Sequence, residues 1–410
     1  MNRGFYTILS AQFFSALADN ALLFAAIALL ASLHAQAWQT PVLQQFFVFA
    51  YIVLAPFVGP FADSLPKGRV MFVANAVKLL GCLAMLLGLH PLLAYGLVGI
   101  GAAMYSPAKY GILTEYLPHQ KLVLANGWME GLTVAAIILG SILGGLMVSN
   151  EFAEYAFDRL DLPFIETGID TPPELAITVI LLLYFLAAMI NLHIPRVAID
   201  HKLQKRNPLF VMQDFWHSLR LLWRDPLGQV SLAVTTLFWG AGATLRLIVL
   251  TWASMALKFS LEKATQLTAV VAVGIAIGSV LAAKYVTLKR SVRVLPVGIA
   301  MGVLVILMVF VRDWRVAVSL LVLIGAMGGY FVVPMNALLQ HRGHLLMGAG
   351  HSIAVQNFNE NLSILVLLGV YALMIRVDMS INAIICCFGL FISATMALLT
   401  RKHWHDQDKA

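Results

Sequence analysis

Six ionisable side chains lie inside long apolar stretches of this sequence. They are Asp19, Lys78, Lys109, Glu130, Arg246 and Glu360. A charge at the centre of a bilayer costs about 2.5–3.5 kcal/mol on insertion scales, so such residues normally face a polar cavity or an oppositely charged partner. If the apolar stretches span a membrane, these charges should bind a ligand, pair with one another or act in gating.

An internal repeat relates two of these charges. The segment FSALADNALL, from Phe14, aligns with FWGAGATLRL, from Phe238, which places Asp19 on Ala243, one helical turn from Arg246. We expect Asp19 and Arg246 to meet across a central cavity, where a zwitterionic ligand could replace the pair with one contact to each charge. A permanent structural pair or a gate is the alternative.

Other polar groups extend this candidate site. Lys109 follows Pro107 in SPAKYG, where a proline kink aims it into the cavity to hold a phosphate or toward the inner headgroups. The residues from 356 to 361 are unusually polar for a span, and they form either a binding surface or a structural hydrogen-bond network. The expected substrate-binding residues are Asp19, Asn20, Lys109, Arg246, Gln356, Asn357 and Glu360.

A second group of residues is expected to act in gating. The segment GPFADSLPKGR combines an acid at a helix end with basic residues in a tight loop, and it resembles the major facilitator signature that latches one helix bundle against its neighbour. The usual pattern has Gly three residues after the Asp, where this chain has Pro66, with Gly68 two positions later. Lys78 and Glu130 join the group, although either could be paired within its own bundle. The expected gating residues are Gly59, Asp63, Lys67, Arg69, Lys78 and Glu130.

Composition indicates the elements that position these residues. The 410 residues are 60% hydrophobic and 11% charged, with a mean hydropathy of +0.86, which excludes a water-soluble globular protein. A span needs about 20 mostly apolar residues, and the sequence predicts an all-α membrane protein with twelve spans. They lie near 5–33, 42–62, 70–89, 92–114, 122–147, 173–193, 228–256, 265–286, 293–311, 316–338, 348–373 and 378–400.

Basic residues predict the orientation of the chain. With both termini inside, 18 of the 27 Lys and Arg residues fall on the inner side and six on the outer side, as the positive-inside rule requires. The net charge of +7 is then explained by anionic lipid headgroups, and we expect no nucleic acid partner. The three cysteines fall in spans and should pack rather than form disulfides.

Two long connections divide the chain. Residues 148–172 are acidic and assigned to the outside, either as a solvated loop or as a segment lying on the membrane. Residues 194–227 are basic and inside, and PLFVMQDFWHSLRLLWRDP predicts an interfacial amphipathic helix. We therefore expect a six-helix bundle at 1–193, a linker at 194–227 and a second bundle at 228–410.

A second internal alignment supports this division into halves. Residues 101–110, GAAMYSPAKY, align with 328–337, GGYFVVPMNA, and place Lys109 on Asn336. Two alignments in the same chain order argue against chance similarity, and tandem repeats are typical of the major facilitator architecture, with its substrate site between the halves.

Sequence motifs of enzymes are absent. There is no phosphate loop and no Gly-x-Ser-x-Gly elbow. His341, His344 and His351 lie in basic surroundings without acidic or Cys ligands beside them. We expect no catalytic residue, no metal and no cofactor.

Near-continuous blocks from span one to span eleven resemble the bacterial lysophospholipid transporters of the major facilitator superfamily. The blocks include AQFFSALADNALLF, KGRVMFVANAVKLLG, GAAMYSPAKYGIL, LFWGAGATLR, GGYFVVPMNALLQ and AVQNFNEN. The 148–172 loop is longer and more acidic than expected for that family.

The resemblance implies a flippase of the bacterial inner membrane. It would move lysophospholipids, chiefly lysophosphatidylethanolamine, from the outer to the inner leaflet, and polar contacts would fall on Asp19, Lys109 and Arg246. A separate acyltransferase–acyl-carrier synthetase would then reacylate them. The alternatives are a proton-coupled exporter of amphiphilic drugs, with Asp19 and Glu130 carrying protons, and a non-transporting scaffold for the acyltransferase.

Overall fold

The computed structural model describes residues 3–34, 39–149, 171–197, 207–259 and 261–407. Within these ranges the chain forms α-helices and short 3-10 segments, and no strand. The helices are α1 Arg3–Ser32, α2 Gln39–Ser64, α3 Lys67–Leu86, α4 Pro91–Tyr116, α5 Leu122–Met147, α6 Pro172–Leu192, α7 Pro208–Arg224, α8 Pro226–Ala256, α9 Leu261–Tyr285, α10 Leu295–Leu307, α11 Trp314–Met347, α12 Ala349–Arg376 and α13 Ile381–Gln407.

Eleven segments of the described chain are long and apolar enough to cross a membrane. The one predicted span that is not among these eleven is the fourth, 92–114. It corresponds to α4, which is one continuous helix of 26 residues and therefore about 39 Å long at 1.5 Å per residue. Glycine, tyrosine and proline dilute its hydropathy. Some of these residues serve close packing, since a Cβ on Gly99 would lie 2.8 Å from the Cα of Phe47 in α2.

The helix α11 is longer than the sequence predicted. The span was expected to end near residue 338, but the helix continues to Met347. Its 34 residues make it about 51 Å long, which exceeds a hydrocarbon core of roughly 30 Å. From Gln340 onward polar residues are frequent, so a prediction based on apolar character alone ended the helix too early.

The chain divides into two compact units. One contains residues 1–112 and 135–206, and the other contains residues 113–134 and 207–410. The first part of α5 therefore belongs to the second unit. The division predicted at 1–193, 194–227 and 228–410 stays a prediction, and it differs from these units at residues 113–134.

Small residues bring helices of the first unit together around α1. A Cβ on Gly140 would lie 2.7 Å from the carbonyl oxygen of Leu17, and one on Gly144 would lie 2.7 Å from that of Ala21. Glycines four apart on one helix face allow this close packing. The approach of α5 fixes the turn of α1 that carries Asp19.

The second unit uses the same device between α9 and α11. A Cβ on Gly278 would lie 1.8 Å from the carbonyl oxygen of Ala326, and one on Gly329 would lie 2.2 Å from that of Ile275. Helix backbones that meet this closely are held mainly by van der Waals packing. This packing holds the first half of α11 against α9, about two turns before the polar residue Asn336.

The predicted helix in the linker is present as α7. Asn207 caps its N-terminus, accepting a hydrogen bond from the Leu209 amide at 3.0 Å, and Pro208 occupies the first position, where its missing N–H costs nothing. Phe215 and Leu222 are buried on one face. Residues 198–206 of the linker and 150–170 of the acidic connection lie outside the described residues.

Candidate functional site

The strongest polar cluster of the first unit is an ion pair between α1 and α3. The Lys78 ammonium lies 2.8 Å from each carboxylate oxygen of Asp19. The Lys78 side chain is 1% exposed, whereas that of Asp19 is 23% exposed. Each charge lowers the cost of burying the other, and only the carboxylate has an open side.

Neighbouring side chains complete the shell around this pair. Tyr184 of α6 donates its hydroxyl to Asp19 at 2.6 Å. Lys78 also donates to the Ser15 hydroxyl at 3.1 Å, and Ser15 donates to the Asn75 amide oxygen at 2.8 Å. The Lys78 ammonium lies 4.8 Å from the ring centroid of Tyr105, within cation–π range. Side chains of α3 and α6 thus hold the α1 carboxylate in one orientation.

The helix pattern explains why these residues meet. Ser15 and Asp19 are four apart on α1, so they share a face, as Asn75 and Lys78 do on α3. Gly101 of α4 gives the lysine room, because a Cβ there would lie 2.6 Å from the Lys78 Cγ.

These contacts revise the sequence-based account of Asp19. The structure pairs Asp19 with Lys78 of the same unit. A pairing of Lys78 within its own bundle is the alternative to gating that the sequence left open. Lys78 therefore offsets the free-energy cost of burying the Asp19 charge, and Arg246 is not needed for that. Asp19 and Arg246 belong to different units, and their predicted meeting stays a prediction.

The remaining predicted binding residues of α1, α4 and α8 differ in their surroundings. Asn20 donates to the Ala16 carbonyl at 2.8 Å within its own helix. Lys109 is half-buried, with its ammonium 4.6 Å from the Tyr110 ring centroid. Arg246 is exposed on α8.

The second unit contains a network of buried carboxylates and amides. Asn336 of α11 donates to Glu130 of α5 at 3.3 Å. Gln356 of α12 donates to Asn336 at 3.0 Å and to Glu360 at 2.7 Å. All four side chains are buried, as is Asn357. The structure thus brings together three of the predicted residues, Glu130, Gln356 and Glu360.

A reciprocal amide pair lies one turn away on the same helices. Asn126 donates to Gln340 at 2.9 Å, and Gln340 donates back at 2.8 Å. Both side chains are buried, where unmet amides are costly. Together with the carboxylate network, this pair joins the first part of α5 to α11 and α12.

The predicted latch segment forms a local ion pair. The Lys67 ammonium lies 2.7 Å from the Asp63 carboxylate and 2.7 Å from the Ala62 carbonyl, and both charged side chains are buried. Gly59 is buried, and Arg69 is exposed. The displaced glycine has a packing role, because a Cβ on Gly68 would lie 2.9 Å from the Asn191 carbonyl oxygen.

Sequence reasoning missed six uncharged polar residues of these clusters. They are Ser15, Asn75, Tyr184, Asn126, Asn336 and Gln340. Their signal was present, since polar groups in apolar spans face protein or water whether or not they carry a charge. The repeat alignment even placed Asn336 on Lys109.

The histidines on α11 and α12 contact other partners. His341 stacks on His119 with ring centroids 5.4 Å apart, and His351 lies 3.2 Å from the Asp214 carboxylate of α7. No group of three or more potential metal-ligating side chains is found among the described residues.

Long apolar helices with buried charged side chains are typical of membrane transporters, and comparisons to known proteins identify the family. Residues 8–367 match the model of the Major Facilitator Superfamily. The chain belongs to the Major Facilitator Superfamily. It is a multi-pass membrane transporter and not an enzyme.

Known sequence relatives narrow the family further. The lysophospholipid transporter LplT of Yersinia pestis (strain Pestoides F) is 45% identical over 386 residues, covering 94% of this chain and 90% of that protein. LplT of Yersinia pseudotuberculosis serotype O:3 (strain YPIII) matches with the same values. The predicted resemblance is confirmed, and the transporter is a member of the LplT family.

Solved structures confirm the major facilitator fold. The E. coli fucose:proton symporter FucP superposes with a TM-score of 0.75 at 14% identity, covering 97% of this chain and 98% of that one. A bacterial homologue of the iron transporter ferroportin gives 0.73 at 15% identity, with coverage of 98% and 99%. At these identities the likeness concerns the fold alone.

Proposed function

We propose that this transporter moves lysophospholipids, chiefly lysophosphatidylethanolamine, from the outer to the inner leaflet of the bacterial cytoplasmic membrane by alternating access. The observation that carries the proposal is the partly open Asp19 carboxylate on a long apolar helix. Its family supplies the substrate class, since the relatives at 45% identity are named lysophospholipid transporters.

The chemistry of the substrate fits such a site. A lysolipid has one acyl chain and a head bearing a phosphate and an ammonium. It needs a few opposed charges in an apolar wall. We assign the ammonium to Asp19 and the phosphate to Arg246 with Lys109. We also assign a role in substrate binding to the polar residues Asn20, Gln356, Asn357 and Glu360.

The gating assignment has local support. The buried pair of Asp63 and Lys67 stiffens the connection between α2 and α3, and the Glu130 network joins α5 to α11 and α12. We assign Gly59, Arg69 and Lys78 to the same role. We propose that both termini lie in the cytoplasm and that a separate acyltransferase–acyl-carrier synthetase reacylates the product there.

The test is flipping of a fluorescent lysophosphatidylethanolamine in vesicles containing only this protein. Asp19→Ala and Arg246→Ala should each lower the initial rate at least tenfold, and Arg376→Ala, at an exposed position, should not. Wild-type rates in both site variants would remove these residues from the site.

Two outcomes would replace the proposal with another function. Loss of flipping on collapse of a proton gradient would indicate the proton-coupled exporter. Intact reacylation in cells that carry a transport-inactive variant would indicate a scaffold for the acyltransferase.

A further inference from the structure

The charge on Asp19 is balanced before any ligand arrives. Lys78 contacts both carboxylate oxygens at 2.8 Å, and the exposure of the two side chains differs sharply, at 23% for Asp19 and 1% for Lys78. A ligand can therefore touch the carboxylate but not the lysine behind it. The ligand therefore meets a carboxylate whose negative charge is already neutralised by the hydrogen-bonded Lys78 ammonium.

A matched carboxylate distinguishes between classes of head group. A lone ammonium gains its attraction to Asp19 but also meets the field of the Lys78 ammonium, so the net pull on a purely cationic amphiphile is weak. A zwitterionic head can point its ammonium at the carboxylate and place its own phosphate near the proposed positive charges of Arg246 and Lys109. Hydrogen bonding to Asp19 then orients the head without net charge transfer into the bundle.

We propose that Lys78 is a specificity-determining residue that acts through Asp19: by neutralising the carboxylate, it makes the site reject purely cationic amphiphiles in favour of zwitterionic ones. This inference rests on the proposed function for the identity of the zwitterion. It assigns Lys78 a role beyond gating, as a residue that positions and balances Asp19 without touching the ligand.

The position of Lys78 is built to keep this balance. Its ammonium donates to Asp19 and Ser15, its aliphatic stem passes Gly101, and the Tyr105 and Tyr184 rings lie 4.8 and 5.5 Å from the ammonium. A buried cation held on all sides does not leave when a ligand binds. The Asp19 subsite therefore stays neutral through the cycle.

The experiment compares flipping of two probes in proteoliposomes containing the full chain. Both carry the same fluorescent acyl chain, one on phosphoethanolamine and the other on a permanently charged trimethylammonium. For wild-type protein the cation-to-zwitterion rate ratio should be low. Lys78→Met should raise it at least tenfold, because Asp19 then carries an unmatched charge. Arg3→Met, which removes an exposed positive charge from α1, should leave the ratio unchanged.

A complementary variant covers the case in which Lys78→Met does not fold. Asp19→Asn leaves Lys78 unmatched, and it should raise the rate of an alkyl phosphate probe relative to the trimethylammonium probe at least tenfold. An unchanged ratio in both single variants, or an equal loss of all probes in a folded Lys78→Met protein, would show that the pair is only structural and overturn the inference.

The two proposals fail in different ways. If wild-type protein does not flip the phosphoethanolamine probe, the proposed function is wrong. The inference about Lys78 is then judged by the trimethylammonium and alkyl phosphate probes alone. It fails if neither Lys78→Met nor Asp19→Asn changes the ratio of their flipping rates.

Discussion

At the scale of single residues, a buried ion pair stabilises a fold only while both partners are present. Asp63 and Lys67 are paired at 2.7 Å and buried, so removing either takes a close opposite charge away from the other, and breaking such a buried pair costs about 3–5 kcal/mol. We expect Asp63→Ala and Lys67→Met each to lower the midpoint of thermal unfolding markedly, as followed by fluorescence in detergent. Arg69→Ala is the matched control, because Arg69 is exposed and its loss should change stability by less than about 0.5 kcal/mol.

The double variant distinguishes a pair from two independent effects. Asp63→Ala with Lys67→Met removes both charges of the pair, so its loss of stability should be smaller than the sum of the single losses. Strict additivity would contradict a role for the contact.

How far the sequence predicts this site depends on sequence separation. The partners Asp63 and Lys67 are four apart, and their spacing alone predicts a helical contact. Asp19 and Lys78 lie 59 positions apart, and only the fold, in which α1 and α3 both pack on α6, selects that partner. The internal repeat pointed to Arg246 instead, since a repeat relates the halves but carries no information about contacts within one half.

At the scale of helices, Gly101 tests whether close packing of α4 positions Lys78. A Cβ there would lie 2.7 Å from the backbone oxygen of Ala74 and 2.6 Å from the Lys78 Cγ. The backbone cannot yield cheaply, so Gly101→Ala should cost about 1–3 kcal/mol by overpacking and should also lower flipping. Gly145→Ala is the control, because nothing lies within 4 Å of its Cβ position and alanine is favoured in a helix by about 0.5–1 kcal/mol.

The stabilities of the two glycine variants, measured side by side by thermal unfolding, should change in opposite directions. Equal effects at Gly101 and Gly145 would mean that helix propensity, and not packing, decides both positions.

A helix start in the second unit predicts a dependence on pH. Asp225 caps α8 through the Gly228 amide at 2.8 Å and pairs with Arg342 of α11 through two hydrogen bonds. Burial alone would raise the pKa of Asp225, but hydrogen bonds from Arg342 and Gly228 outweigh it and lower the pKa below 3.8. A lowered carboxyl pKa stabilises the fold fully above its ordinary value, and the contribution is lost as pH falls through the folded value.

This contribution should be visible in Asp225→Asn. The variant keeps a good capping residue but loses the ion pair with Arg342. Its unfolding midpoint should lie below that of the wild type at pH 6, and the difference should shrink as the pH is lowered below 3.8. A constant difference from pH 6 to pH 3 would show that the charge on Asp225 contributes nothing.

For the whole molecule, apolar runs in the sequence predicted nearly all of the helices, because a span must satisfy its backbone hydrogen bonds internally and expose apolar side chains. The prediction was wrong where α11 serves another contact. α11 continues beyond its apolar run, and its extension carries Arg342, which pairs with Asp225. α4 replaces apolar bulk with glycines that pack on neighbouring helices. Composition alone does not report such contacts.

The membrane crossing of α4 decides whether the topology has an even number of spans. If α4 crosses, residues 89–90 and 119–121 at its two ends lie on opposite sides, with Lys121 inside as the positive-inside rule favours. If it does not, the two termini lie on opposite sides. The test uses His90→Cys and Gln120→Cys, both at exposed positions, in a protein whose three native cysteines are replaced.

In intact spheroplasts, an impermeant maleimide should label the cysteine at position 90 and should reach that at position 120 only after permeabilisation. The lengths agree with this result, since a helix of 26 residues spans about 39 Å and its two ends cannot lie at the same surface unless it leaves the bilayer altogether. Labelling of both positions from outside would place α4 outside the hydrocarbon core. Gly101 and Tyr105 of that helix contact the buried Lys78, so the charge pair with Asp19 would then lose the apolar surroundings on which its selectivity depends.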